Sequence, residues 1–312
     1  MIWFIVRRFL HAIPILFGIS VLAFILIRLA PGDPAVAYLR LSQVPLTDEA
    51  LQEMRVRLGL DKPLLVQYGD WLGNILHLDF GRSFVSKQPV LDELLLYFPA
   101  TLELTLSAVI LTVAISLPVG VLSAVYKDGI LDGLSRMLAY AGASMPAFWL
   151  GYLLIYYLSI KLDLLPVLGR GTILHFVLPS LTLSFAYIAT YMRLLRTSML
   201  ENLHQPFVLY ARARGMEERV IVFRHVLKMA LLPVVTAFGM TVGNMLSGAF
   251  IVENVFAWPG LGRYFVSAIF HRDYPVIQAC ILLLGAIFVL CNLLVDVAYA
   301  FLDPRIRWKE ER

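Results

Sequence analysis

The sequence predicts an all-α integral membrane fold: six transmembrane helices, with an extracytoplasmic insertion between the first two. Three observations lead there. Of the 312 residues, 60% are hydrophobic and 15% charged, and the mean hydropathy is +0.78. A compact soluble chain needs more polar cover than that, so lipid is the natural solvent. Six apolar segments reach spanning length, at about 9–30, 100–125, 137–160, 175–195, 231–252 and 275–301. Between the first two lies a stretch of another character: residues 31–98 hold Pro31, Pro34, Pro45, Pro63 and Pro89, nine acids and six Lys or Arg.

The first span follows Arg7 and Arg8 and runs from Phe9 to Leu29. It is long enough to cross a bilayer, and Leu29-Ala30-Pro31-Gly32-Asp33 lacks a convincing small-x-small cleavage site. It reads as a retained helix rather than a signal peptide. In the insertion, Thr47–Leu58 reads as a short helix with Thr47 as N-cap and Asp48 and Glu49 in the first turn. The chain thus divides into 1–30 (a cytoplasmic N-terminus and first span), 31–98 (outside), 99–302 (a five-helix core) and a cytoplasmic tail, 303–312.

Charge sets the orientation. With the N-terminus inside, the inner segments 1–8, 126–136, 193–230 and 303–312 hold 15 of the 26 Lys and Arg, and the outer loops 161–174 and 253–274 hold two each. Both termini are therefore expected in the cytoplasm. Trp3, Tyr97, Trp149, Tyr157, Trp258, Tyr299 and Trp308 near helix ends agree. The net charge of +4 is modest and forms no basic stripe, so no nucleic-acid partner is expected.

The spans hold few ionisable groups. Arg28 and Glu103 fall near outer ends and Asp296 near an inner end. Ion-coupled carriers use carboxylates or histidines at mid-membrane, and none stands there. No phosphate-binding GxxxxGK[ST] loop, HExxH helix or CxxC pair is present. The expectation is a non-catalytic conduit driven by an external energy source. A stand-alone channel or secondary carrier and an intramembrane enzyme are the rival classes.

The longest inner segment, 193–230, contains Pro206 followed by Phe207-Val-Leu-Tyr210-Ala211-Arg212-Ala213-Arg214-Gly215. Pro206 suits a helix start and Gly215 a stop. Ala211, Ala213 and Gly215 leave little side chain, so the backbone could press into a partner's groove with Arg212 and Arg214 at the rim. An ordinary interfacial helix fits the same residues, and the residues alone leave both readings open.

The stretch Tyr210–Leu227 resembles the coupling motif of ABC-importer permeases, a Glu-Ala-Ala–three–Gly pattern followed by an apolar-x-Leu-Pro. Ala211 matches the second alanine, Gly215 the glycine and Leu227 the later leucine; Leu209, Tyr210 and Lys228 depart from it. Further motifs extend the resemblance to the dipeptide/oligopeptide/nickel permeases over nearly the whole chain. They include Ala30-Pro-Gly-Asp-Pro34, Leu58-Gly-Leu-Asp-Lys-Pro-Leu64, Leu78-Asp-Phe-Gly-Arg-Ser83, Pro99-Ala-Thr-Leu-Glu-Leu104, Glu253–Arg263, Arg272–Gln278 and Asp303–Arg307.

That resemblance implies several things. The chain would pair with a second homologous permease around a central pathway. Two ATP-binding subunits would carry the ATP and Mg, and an extracytoplasmic substrate-binding protein would deliver cargo; this chain would bind no cofactor. Tyr210, Ala211, Arg212, Ala213, Arg214 and Gly215 would dock on the ATPase. Pro34–Ser42, Pro89–Leu94, Ser144–Leu150 and Ile269–Tyr274 look more like the nickel branch than the peptide one, so nickel, free or chelated, is the expected cargo and a short peptide the alternative.

No metal site is assigned. His271 and Asp273 at an outer mouth, with His175, are possible transient ligands, although exposed loop polars read the same way. Cys280 and Cys291 share a helix face about 16 Å apart, too far for a disulfide and more plausible as small hydrophobes. Met145, Asn244 and Glu253, with His271 and Asp273, are the expected pathway residues. Met240 and Met245 could also line the route, although methionine in a span usually serves packing; Asn244 and Asn292 are the better polar candidates, because an amide favours a bundle interior. Trp258, Pro259, Gly260, Leu261 and Gly262 read as a protruding turn that contacts the binding protein or gates the mouth.

Overall fold

The computed structural model describes residues 2–29 and 32–302. The tail expected at 303–312, with Trp308, lies outside the described residues, as do Ala30 and Pro31 and the side chains of Trp3, Met240, Asp296 and Tyr299. Within the described residues the chain is helical, without a strand beyond one isolated Arg82–Pro89 bridge. In order the helices are α1 (Ile2–Leu29), α2 (Pro34–Leu41), α3 (Asp48–Arg57), α4 (Leu64–Leu76), α5 (Val90–Val125), α6 (Ile130–Ser144), α7 (Ala147–Leu154), α8 (Ile173–Leu203), α9 (Pro206–Ala213), α10 (Glu218–Val220), α11 (Leu227–Val255), α12 (Leu261–His271) and α13 (Tyr274–Leu302). Two π-helical stretches, Ile155–Lys161 and Ile221–Val226, extend α7 and join α10 to α11.

Among the described residues five helices are long and apolar enough to cross a membrane, and six if the bent pair α6–α7 is one span. That pair corrects the straight span expected at 137–160. It is folded by 113° between Ser144 and Ala147. Pro146 is the cause: the residue before a proline is pushed out of the helical region, and Met145 accordingly has ψ 119°. The second span also begins earlier than expected, since α5 runs unbroken over 36 residues from Val90.

The insertion is built from local signals. Asp33 accepts the Ala35 N–H and Pro34 occupies the first turn of α2. Thr47 caps α3 as expected, accepting the Ala50 N–H.

The chain forms two compact units, one of residues up to Thr101 with those from Pro259 onward, the other Leu102–Trp258. In the first, α13 packs on α1 so tightly that a Cβ at Gly285 would come 2.8 Å from Ile19. A second apolar cluster joins Val90 and Leu94 to Leu261, Ala268, Val276 and Ala279. In the other unit, α6, α7 and α11 pack around α8. A Cβ at Gly142 would overlap that of Ala189, so α6 and α8 touch backbone to side chain. Gly120 plays the same part between α5 and Leu195. Cys280 is buried and Cys291 half-buried, and both are free thiols.

Candidate functional site

The long helix α8 ends at Leu203, and Gln205 in an extended conformation turns the chain into α9 with Pro206 at its first position. α9 has two faces. Phe207, Val208 and Ala211 pack inward on a cluster that includes Leu195, Met199, Ile221, Val222 and Val226. Val208 is 1% exposed. Leu209 and Tyr210 point away, 69% and 72% exposed, beside exposed Arg212, Ala213 and Arg214.

Gly215 ends the helix at φ +74°, where the Gly215 and Met216 N–H groups donate back to Arg212 and Ala211. A Cβ on Gly215 would meet nothing within 4 Å. The glycine is therefore required for its left-handed backbone rather than for room. Ala211 differs from the expectation in the same way: its small side chain fits the α9 underside and not an outward groove. Arg212 reaches across the turn to Glu218 with Nε 3.0 Å from one carboxylate oxygen and a second N–H on the other. That hydrogen bond, then the charge of Glu218, raises the Arg212 pKa. Both groups are exposed, so the pair shapes the loop more than it stabilises the fold.

Beneath this segment lies an anchor the sequence reading missed. Asp132, fully buried, accepts from Arg196 Nε at 2.5 Å and Nη2 at 2.8 Å, from Ser123 Oγ at 2.7 Å and from the Asp128 N–H at 3.0 Å. Ser123 also bonds Ser135. The carboxylate so ties the α5–α6 turn to α8, two turns before α9. Asp132 and Arg196 lie 64 residues apart and share no motif, so only the fold pairs them.

The candidates expected on the outer side sit differently. Trp258 is fully buried, edge-on to Phe176 at 4.7 Å, and its N–H donates to the Glu253 carbonyl at 2.8 Å. Glu253 itself is 0% exposed. Leu261 is 1% exposed and donates its N–H to Thr101 Oγ1, while Gly260 and Gly262 are buried and Pro259 half-buried. The protruding turn expected at 258–262 is thus a packed segment, with Trp258 and Leu261 themselves buried.

Asp273 is also buried. It accepts Ser83 Oγ at 2.5 Å and the Phe84 and Val85 N–H groups at 3.0 and 3.2 Å, pinning that loop, and Arg272 in the left-handed region (φ 55°) sets the turn. His271 is exposed and contacts the Ser267 carbonyl at 2.8 Å, so the two do not converge on a ligand. His175 bonds back to Thr172 at the start of α8. Among the described residues no group of three or more His, Cys, Asp or Glu could hold a metal.

Met145 lies at the α6–α7 break and lines an open apolar pocket of about 410 Å³ with Ala141, Pro146, Phe148 and Trp149. Asn244 is exposed on the surface of this chain, not turned inward as its amide suggested, and Asn292 is half-buried.

Comparison with known proteins agrees with this architecture. The family model of the binding-protein-dependent transport system inner membrane component matches residues 116–308, and its N-terminal companion matches residues 1–105. The glutathione transport system permease protein GsiC of Pectobacterium atrosepticum is 44% identical over 99% of this chain and 100% of its own length. The Escherichia coli protein of that name is 43% identical over the same shares.

Among solved structures, the inward-facing MetNI methionine ABC transporter superposes with a TM-score of 0.55 at 22% identity, covering 66% of this chain and 94% of that one. An amino acid ABC transporter crystallised with histidines gives 0.55 at 17%, covering 68% and 94%. These two show a shared fold. The relatives above are glutathione permeases and lend the expected nickel branch no support; the alternative, a peptide cargo, fits them better. With both family models matched and the relatives aligned end to end, this chain belongs to the binding-protein-dependent transport system inner membrane components, the non-catalytic, multi-pass permease subunits of ABC importers.

Proposed function

We propose that this chain forms half of the translocation pathway for a short peptide of the glutathione type across the bacterial cytoplasmic membrane. The supporting observation is the 44% identity, over 99% of the chain, to a permease named for glutathione transport. A second homologous permease forms the other half. Two ATP-binding subunits, which hold the ATP and Mg, dock on the exposed face of α9 around Leu209, Tyr210, Arg212, Ala213 and Arg214. A substrate-binding protein delivers cargo from outside. ATP binding closes the ATPase pair and turns the permeases outward, and hydrolysis resets them. Both termini lie in the cytoplasm, with 31–98 outside and 193–230 inside.

Uptake into proteoliposomes holding the full transporter and its binding protein tests the cargo. ATP-dependent entry of glutathione or a short peptide, without entry of Ni²⁺, is expected. Nickel entry that no peptide competes with would overturn the assignment. Orientation is checked with an impermeant thiol reagent on intact cells, in a chain lacking Cys280 and Cys291. Exposed Glu53→Cys should label and exposed Glu217→Cys should not; the reverse pattern inverts the topology.

A further inference from the structure

Helix α4 (Leu64–Leu76) has no part in the transport reading, and its surface does not suit water. Apart from Gln67, Asp70 and Asn74, its thirteen residues are aliphatic, aromatic or glycine. Those three stand three and four positions apart and share one narrow face. That face is turned onto the insertion itself. Gln67 donates to the carbonyls of Leu60 at 3.2 Å and Lys62 at 2.7 Å, Asp70 accepts from Lys62 Nζ at 2.7 Å, and Asn74 lines a cavity of about 220 Å³ beside Phe84 and Tyr274.

The apolar side is left bare. None of the thirteen residues is buried, and Leu65 and Leu76, three turns apart on one face, are 86% and 76% exposed. An apolar helix of this length is too short to span a bilayer; it belongs either in a protein core or in a membrane interface. With nothing buried, α4 is not a core helix.

Its neighbour fixes the depth. α4 packs on α1 within Arg7–Leu29, the stretch long and apolar enough to cross a membrane. Tyr68 meets Phe17 and Phe24 edge-on, with ring centres 6.3 and 5.4 Å apart, and Trp71 meets Phe24 at 5.7 Å. Ser20 stands nine residues before Leu29. That is about 14 Å along the helix, well inside a hydrocarbon core about 30 Å thick. There Ser20 Oγ donates to the Phe17 carbonyl at 2.7 Å, which leaves the Tyr68 hydroxyl to donate to Ser20 Oγ at 2.8 Å. Both hydroxyls are satisfied without water, as that depth demands. Phe17 touches Tyr68 and is still 55% exposed, so the surface that α1 offers to lipid continues directly onto α4. We infer that α4 lies in the membrane: it enters the leaflet at the Leu29 end of α1, rests Tyr68 and Trp71 on that span, and turns Leu65 and Leu76 to the acyl chains. The insertion stays on one side of the membrane while one of its helices lies within it. This placement rests on α1 crossing the bilayer, and neither on the cargo nor on which end of α1 faces out.

Spin-label electron paramagnetic resonance tests it on the assembled transporter in bilayers of palmitoyl-oleoyl phosphatidylethanolamine and phosphatidylglycerol. In a chain lacking Cys280 and Cys291, one nitroxide is carried at a time by Leu65→Cys, by Leu76→Cys or, as the aqueous reference, by exposed Glu53→Cys. Relaxation by oxygen, which concentrates in hydrocarbon, is compared with relaxation by a water-soluble nickel chelate. The oxygen-to-chelate ratio at positions 65 and 76 should exceed that at position 53 several-fold. A ratio equal to that of position 53 would place α4 in water and overturn the inference. An immobilised label that neither reagent reaches would show a protein partner covering the face, and would overturn it as well. Both leucines are exposed, so either substitution leaves the packing on α1 intact, and each position decides alone should the other variant fail to assemble.

Discussion

Two segments of this permease look alike in sequence and are opposites in structure. Residues 206–215 and 258–273 both combine aromatic, glycine and arginine residues, and both resemble family motifs. The first turns Leu209 and Tyr210 outward from a buried underside; the second buries Trp258, Leu261 and Asp273 almost completely. The contrast separates two reasons for a strongly patterned segment. At α9 the pattern leaves large apolar groups exposed on a helix, as the proposed docking of another chain requires. At 258–273 it serves the permease's own packing.

The contrast predicts that variants in the second segment cost the permease its stability, and that variants in the first act mainly on its coupling. Trp258→Ala should give the largest loss. Removing a fully buried indole costs about 3–5 kcal/mol, read as a fall in the unfolding midpoint of the purified permease. An unchanged midpoint would show that the segment is a surface loop after all. Gly215→Val comes next: a β-branched residue forced to φ +74° carries about 1–3 kcal/mol of local strain. Insertion should survive, while the ATPase subunit no longer co-purifies or no longer drives uptake. Normal assembly and transport would remove α9 from the coupling path. The smallest stability effect belongs to Leu209→Asp and Tyr210→Ala, within about 0.5 kcal/mol as for exposed sites generally. Their ATPase docking should nonetheless fail, and full docking would end the comparison.

How much of this was legible beforehand follows from the range of the interactions. Thr47, Pro206 and Gly215 act on their own turn of chain, so capping and turn chemistry locate α3 and α9 from the sequence; Asp33, which caps α2, carries an equally local signal that went unread. The apolar spans are legible because lipid imposes length and composition. The break at Pro146 was readable in principle, since a proline inside a span marks a possible bend, yet Pro179 and Pro233 sit inside helices that continue. Asp132 with Arg196, and Asp273 with Ser83, join residues 64 and 190 positions apart, which no local pattern records. Asp273 was misread for that reason: a carboxylate beside His271 looks like half a ligand set until the loop it holds is known. Burial of the Trp258 region is likewise a property of its neighbours.

The break at Pro146 has a consequence for what surrounds the chain. It stands midway along the pair α6–α7, where a straight helix would satisfy every peptide group. The first turn of α7 has no side-chain cap, and Phe148 and Trp149 there are about half exposed. Peptide N–H groups freed in this way are not tolerated against hydrocarbon tails. Where the pair crosses the bilayer as one span, that face of the permease looks onto water or onto another protein. The bend thus divides the surface of an otherwise lipid-soluble molecule into a side that the bilayer can solvate and a side that it cannot.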